Sequence, residues 1–197
     1  MKIQRLISGL AITFFSRSSI TFANNQHHVT LSPSVMAQTA PAHPGGLTPA
    51  QIQKLNLLGL RIAVPTYLPR GFQASSVEIK PGRGPGRPGY TISYRGPGNT
   101  CFTINSGRGG LGGPSMEGYQ TFPINALFPG RGTMYYGRSV DSSKDSSPSL
   151  FSLPIEARDG RWYAFQGAGS REQLGCKNIS PQEAVRVIES LQYLNSY

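Results

Sequence analysis

The sequence predicts an α+β domain: a curved antiparallel β-sheet with one helix near each end of the mature chain. Three observations carry this. Short apolar segments in the middle of the chain alternate with period two. Capped, amphipathic helical segments occur only after Thr48 and after Ser180. The 24 Gly and 16 Pro of the 197 residues are about a fifth of the chain against roughly 12% in average usage, which excludes coiled coils and helical bundles. Nine Phe, nine Tyr and one Trp, spread through these segments, exclude full disorder.

The chain opens as an export signal. Lys2 and Arg5 form a basic start, and Leu6 to Phe15 is an apolar run too short to span a bilayer, which needs about 20 residues. Arg17 interrupts it. Small-residue cleavage patterns follow at Thr21-Phe22-Ala23 and Val35-Met36-Ala37. The expected organisation is a signal peptide over 1–37, a flexible Pro/Ala/Gly linker over 38–47, and a single α+β domain over 48–197. A start at Met36, or a disordered cytosolic tail, is the alternative. No lipobox Cys lies near the cleavage region.

Within the domain, Thr48-Pro49-Ala50-Gln51 reads as a capping box, and Ile52, Leu55 and Leu58 give the helix an apolar face before Gly59 ends it. Leu60 to Val64 reads as a short strand and Pro65 to Phe72 as a turn. Phe72 to Lys80 is the next strand. Pro81 to Gly89 is too rich in Pro and Gly for a ladder and connects strands. Tyr90, Ile92 and Tyr94 share one face, as do Phe102 and Ile104. Tyr119 to Ile124, Thr133 to Tyr136 and Leu150 to Ile155 are further strands, and Asp141 to Ser149 is a loop. Asp159-Gly160 marks a hairpin into Arg161 to Gly167. The last helix starts at Ser180-Pro181, with Glu183 third, and its stripe is Ala184, Val187, Ile188, Leu191 and Leu194. Dense aromatic side chains on the strands read as core, with an apolar groove as the alternative.

The composition also limits the chemistry. His27, His28 and His43 are the three histidines, and none follows Pro44. Ser-His-Asp and Cys-His catalysis therefore have no base in the domain, and a zinc site has no histidine. No cofactor and no metal is expected. Nine carboxylates remain, from Glu78 to Glu189, so a paired-carboxylate hydrolase is formally open. Cys101 and Cys176 are the two cysteines. In an exported chain they are expected to pair, closing a loop of about 75 residues for roughly 4 kcal/mol at most. Gly107-Arg108-Gly109-Gly110-Leu111-Gly112 fits G-x-G-x-x-G. Gly113-Pro114 follows instead of a helix, so it reads as chance in a Gly-rich loop.

Charge is the remaining signal. The net charge is +10, and removing Lys2, Arg5 and Arg17 with the leader leaves +7. Arg83, Arg87, Arg95 and Arg108 sit among glycines and are the candidate residues for an anionic ligand. Ordinary loop solubility is the alternative reading. Nucleic acid is not expected, because Arg-Gly segments that bind RNA are usually long tandem repeats in intracellular proteins.

Four segments, taken in order, carry a family resemblance: Pro65-Thr66-Tyr67-Leu68-Pro69-Arg70-Gly71-Phe72, Tyr90 to Tyr94, Trp162 to Gly167, and Ser180 to Leu191. Together, over about residues 48–195, the chain resembles a bacterial extracytoplasmic domain of unknown function found in sporulation-type and anti-sigma-type envelope proteins. That domain is similar in fold to the half-barrel of lipoprotein carriers and periplasmic stress sensors. The resemblance implies a half-barrel and supplies no catalytic residues. Unlike the anchored members, this sequence contains no apolar run of membrane-spanning length.

The expected function is a non-enzymatic binding or sensor-like module, periplasmic or secreted and monomeric. Its expected partner is an anionic envelope polymer, a lipid or another envelope protein. A lipid or lipoprotein carrier with an apolar cavity is the first alternative, and a carboxylate-dependent envelope hydrolase the second.

Overall fold

The computed structural model describes residues 43–81, 88–108, 115–140, 147–168 and 175–194. Its chain order is α1 (Pro49–Asn56), β1 (Ala63–Pro65), β2 (Gln73–Lys80), β3 (Gly89–Gly96), β4 (Thr100–Gly107), β5 (Tyr119–Asn125), β6 (Arg131–Gly137), β7 (Ser149–Ser152), β8 (Ile155–Glu156), β9 (Trp162–Gly167), α2 (Pro181–Glu189) and β10 (Leu191–Tyr193). The class is α+β, as the alternation predicts. Every named strand pairing is antiparallel. The main sheet runs β2-β3-β4-β9-β7-β6-β5 and does not close, with β8 paired to β9; β1 and β10 form a separate ribbon.

Both helices begin as their sequences dictate. Thr48 Oγ1 accepts from Gln51 N while Gln51 Oε1 accepts from Thr48 N at 2.8 Å, a complete capping box. Ser180 Oγ caps the Glu183 amide. α1 lies along the edge strand β2, where Gln51 Nε2 donates to Ala74 O and Lys54 Nζ donates to Val77 O. Packing begins before α1, since Leu47, placed by the sequence in the linker, is part of the core.

Three element boundaries differ from the sequence reading. The apolar stripe of the last helix runs past the helix. α2 ends at Glu189, and Leu191 belongs to β10 because its backbone pairs with Pro65. The segment read as one strand over Leu150 to Ile155 splits into β7 and β8 around Leu153-Pro154, since Pro cannot continue a ladder. The strand read over Leu60 to Val64 is instead Ala63–Pro65. Pro65 is tolerated there because it stands at a strand end.

One face of the main sheet builds the core. Tyr90, Ile92 and Tyr94 of β3, Phe102 and Ile104 of β4, and Tyr163 and Phe165 of β9 are fully buried. Phe102 is the hub of an aromatic stack, with ring centroids 5.4 Å from Phe72, 4.8 Å from Tyr94 and 5.1 Å from Phe165. Ala184, Val187 and Ile188 of α2 are part of this core. Burying each such Val or Ile contributes about 1.5–3 kcal/mol, which holds the helix to the sheet.

The turn after β1 is fastened to the end of α2. Thr66 N donates to Ser190 O and Tyr67 N to Ser190 Oγ, both at 3.0 Å. The Tyr67 hydroxyl donates to Glu183 Oε2, and Arg186 lies 4.1 Å from the Tyr67 ring centroid. Two segments that carried the family resemblance are thus in direct contact.

Cys101 and Cys176 form a disulfide, with Cα atoms 5.9 Å apart. Its surroundings are hydrogen-bonded as well: Cys101 N donates to Lys177 O and Lys177 N to Asn99 O. The bond therefore fastens the segment leading into α2 to the first residues of β4.

Candidate functional site

Because side chains alternate across a strand, the residues between the core positions form the opposite face of the sheet. There β3 supplies Thr91, β4 supplies Thr103 and Asn105, and β9 supplies Trp162, Ala164 and Gln166. The register sets them side by side: Thr91 opposes Asn105, Asn105 opposes Ala164, and Thr103 opposes Gln166. This face is polar at its centre, yet Thr91, Thr103 and Asn105 are 4%, 1% and 7% exposed. β4 is thus buried on both sides.

Buried polar groups need partners, and these supply one another's. Thr91 Oγ1 donates to Asn105 Oδ1 at 2.6 Å. Asn105 Nδ2 donates to Thr103 Oγ1 and to Gln166 Oε1, each at 3.1 Å. Asn105 is thereby fixed at both ends of its amide. Beside this network lies a cavity of about 300 Å³, lined by Lys80, Thr91, Asn105, Trp162, Ala164 and Gln166, with Tyr90 and Ser106 completing it. The Trp162 indole lies over Gly107, where a Cβ would come within 2.5 Å of Trp162 Cζ2. The first glycine of the G-x-G-x-x-G match thus makes room for an aromatic ring. Trp162 Nε1 is buried without a hydrogen-bond partner.

Further along the same face, Phe151 opposes Gln166. It stacks on Tyr135 with centroids 5.5 Å apart and meets Tyr119 edge-on at 5.2 Å. A second, shallower concavity is lined by Gly118, Gln120, Tyr136, Arg138 and Pro148.

The candidate arginines are not gathered in one place. Arg83 and Arg87 lie outside the described residues. Their segment leaves the sheet at Lys80 and returns at Gly89, the end of the sheet where β4 runs out at Gly107. Arg108 is at that end, exposed, and donates to Asp159 O at 3.1 Å. Arg95 is opposite Cys101 at the other end, roughly 20 Å away by strand rise. The sequence reading missed Arg161, which is 2% exposed and donates from Nη1 to Pro88 O at 3.2 Å.

The contacts of three carboxylates are structural. Glu183 accepts from the Tyr67 hydroxyl, Asp159 accepts from the Tyr193 hydroxyl and the Arg161 amide, and Glu189 accepts from Asn125 N. The bond to Glu183 raises the pKa of Tyr67 above the ordinary tyrosine value. Burial, reinforced by the charge of Asp159, raises that of Tyr193. Among the described residues, no three His, Cys, Asp or Glu are grouped to hold a metal, and no helix is long and apolar enough to cross a membrane.

Comparison with protein-family models finds no match, and neither does comparison with curated proteins.

The residues around the cavity were legible only as the outward side of strands. Thr91 and Asn105 look like solvent-facing polar residues in an alternating pattern, and nothing local distinguishes a buried polar network from a wet surface. The one available signal was Trp162, a large aromatic ring at an outward position of its strand.

Proposed function

We propose that the protein is an exported, non-enzymatic binding module of the cell envelope or exterior, acting on an anionic envelope polymer or headgroup. The observation that carries this reading is the cavity beside Trp162. It combines an apolar wall and a fixed amide network on the sheet face opposite the core, and the chain as a whole is strongly basic. The disulfide and the absence, among the described residues, of a membrane-crossing helix fit an oxidising compartment outside the cytoplasm. The resemblance to an extracytoplasmic domain of sporulation-type and anti-sigma-type proteins points the same way.

The carrier alternative needs an apolar hollow inside the sheet. The space between the core face and the helices is filled by Tyr90, Tyr94, Phe102, Tyr163 and Phe165, which favours a module over a carrier. The hydrolase alternative needs two cooperating carboxylates, and the contacts of Glu183, Asp159 and Glu189 support none.

The test is binding of the oxidised mature protein to anionic polymers and to anionic vesicles across a salt series. Affinity should fall steeply with salt and should fall again when Arg83, Arg87 and Arg108 are replaced by Ser. Salt-insensitive binding or none overturns the reading, and lipid retained through purification would favour the carrier.

A further inference from the structure

We infer that the end of the molecule carrying Leu57 and Leu127 docks on a bilayer surface with anionic headgroups. This rests on the reading of the protein as a module for anionic envelope ligands and takes the headgroup as their source.

Leu127 stands in the loop between β5, which ends at Asn125, and β6, which begins at Arg131. The loop is anchored on both sides of it. Ala126 and Phe128 pack against the core, and Pro129 is buried. The Phe128 ring lies 4.5 Å from Tyr193 and 5.3 Å from Tyr163, between centroids. Leu127 is nevertheless fully exposed, so a fixed base presents an apolar side chain to the outside. Leu57 is exposed as well. α1 runs along β2 from Ala74 toward Val77, which carries its C-terminal end toward the same end of the sheet. Isolated exposed leucines are ordinary; what marks these two is their company.

That company is cationic. Arg61, Arg108, Arg131 and Arg158 are exposed, and a chain of contacts ties them to this end. Arg108 donates to Asp159 O, Asp159 Oδ2 accepts from the Tyr193 hydroxyl, and the Arg61 guanidinium lies 5.4 Å from the Tyr193 ring centroid. Arg158 precedes Asp159 in the same turn, and Arg131 opposes Asn125 beside Leu127. Arg108 meets a carbonyl and Arg61 a phenol, so neither charge is neutralised there. The exposed carboxylates toward this end are Glu78 and Glu156, which leaves the balance positive.

An occupant must take up negative charge along the arginines and apolar surface at two separated points. Leu57 lies by the β2 margin and Leu127 by the β5 margin of the sheet. A protein partner would ask for a contiguous apolar centre. An anionic polymer would pair with the arginines and leave both leucines in water. A bilayer interface meets both demands, with headgroups at the level of the guanidinium groups and the acyl boundary just beneath for the leucines.

Cys101 and Cys176 are paired, so Leu127→Cys in the oxidised mature protein gives one thiol for the polarity-sensitive label NBD. Phosphatidylglycerol vesicles should shift its emission to the blue saturably; phosphatidylcholine vesicles and oligogalacturonate should not. In unlabelled protein, vesicle co-sedimentation should weaken about tenfold on Leu127→Ser and about fivefold on Arg131→Ser or Arg158→Ser at low salt. Val140→Ser, at the opposite end of β6 and also exposed, should leave it unchanged. Vesicle binding without a label shift, or undiminished by Leu127→Ser, overturns the inference, as does equal binding to both lipids. Salt-dependent binding to oligogalacturonate with no binding to vesicles overturns it and leaves the module reading standing. Failure of every anionic polymer and vesicle to bind overturns both.

Discussion

The Tyr90 hydroxyl holds both polar backbone groups of Ala63. It accepts from Ala63 N at 2.8 Å and donates to Ala63 O at 3.0 Å. Tyr90 belongs to the main sheet and Ala63 to the β1–β10 ribbon, so one phenol ties two sheets that share no ladder.

Tyr90→Phe keeps the ring and removes that tie. Two buried backbone groups then lose a partner, so unfolding free energy should fall by about 1–3 kcal/mol. Urea denaturation followed by circular dichroism measures it. A change smaller than a few tenths of a kcal/mol would mean that the ribbon is held by packing alone.

Reduction of the Cys101–Cys176 bond, which spans 75 residues, should cost about 2–4 kcal/mol by freeing the unfolded chain. Paired urea curves with and without reductant give the difference. Alkylation of natively exported protein before reduction should modify neither cysteine, and two alkylated thiols would defeat the prediction.

Alkali should unfold the domain. Burial pushes the hydroxyls of Tyr90, Tyr94 and Tyr163 well above the ordinary value of 10. Between 10 and the raised values the native state holds protons that the unfolded chain releases, so stability falls as pH rises. It is fully present below about pH 10. Melting temperature should hold level from pH 8 to 9.5 and drop steeply above pH 10. Tyrosinate absorbance of these residues should appear together with unfolding, and its appearance in folded protein would contradict the burial.

Export should leave a mature chain that starts near Gln38. N-terminal sequencing of protein recovered from outside the cytoplasm checks this. Full-length chain found only in the cytoplasm would remove both the compartment and its polymer partners.

Much of the fold was legible because its signals are local. Thr48 and Gln51, or Ser180 and Pro181, mark helix starts within four residues. Tyr90, Ile92 and Tyr94 declare one strand face without reference to anything distant. What was not legible depended on distant partners. Leu191 continues the helical stripe of Ala184, Val187 and Ile188, but a strand 126 residues earlier claims its backbone through Pro65. The site was harder still. Arg95 and Arg108 lie close in sequence, but the antiparallel register separates them along the strand. Gln166, 61 residues beyond Asn105, meets it only because β4 and β9 are neighbours. Beside the polar network, Trp162 stood out as an aromatic ring at an outward position of its strand.

The edge contacts of the main sheet bear on how this protein meets other chains. At one margin, Gln51 and Lys54 occupy carbonyls of β2. At the other, β5 carries Pro123, which has no amide hydrogen to offer, and its Asn125 amide is taken by Glu189. Open strand margins are where sheets of separate molecules zip together into aggregates. Guarded in this way, both margins of the sheet offer fewer free backbone groups for the addition of a strand from another chain.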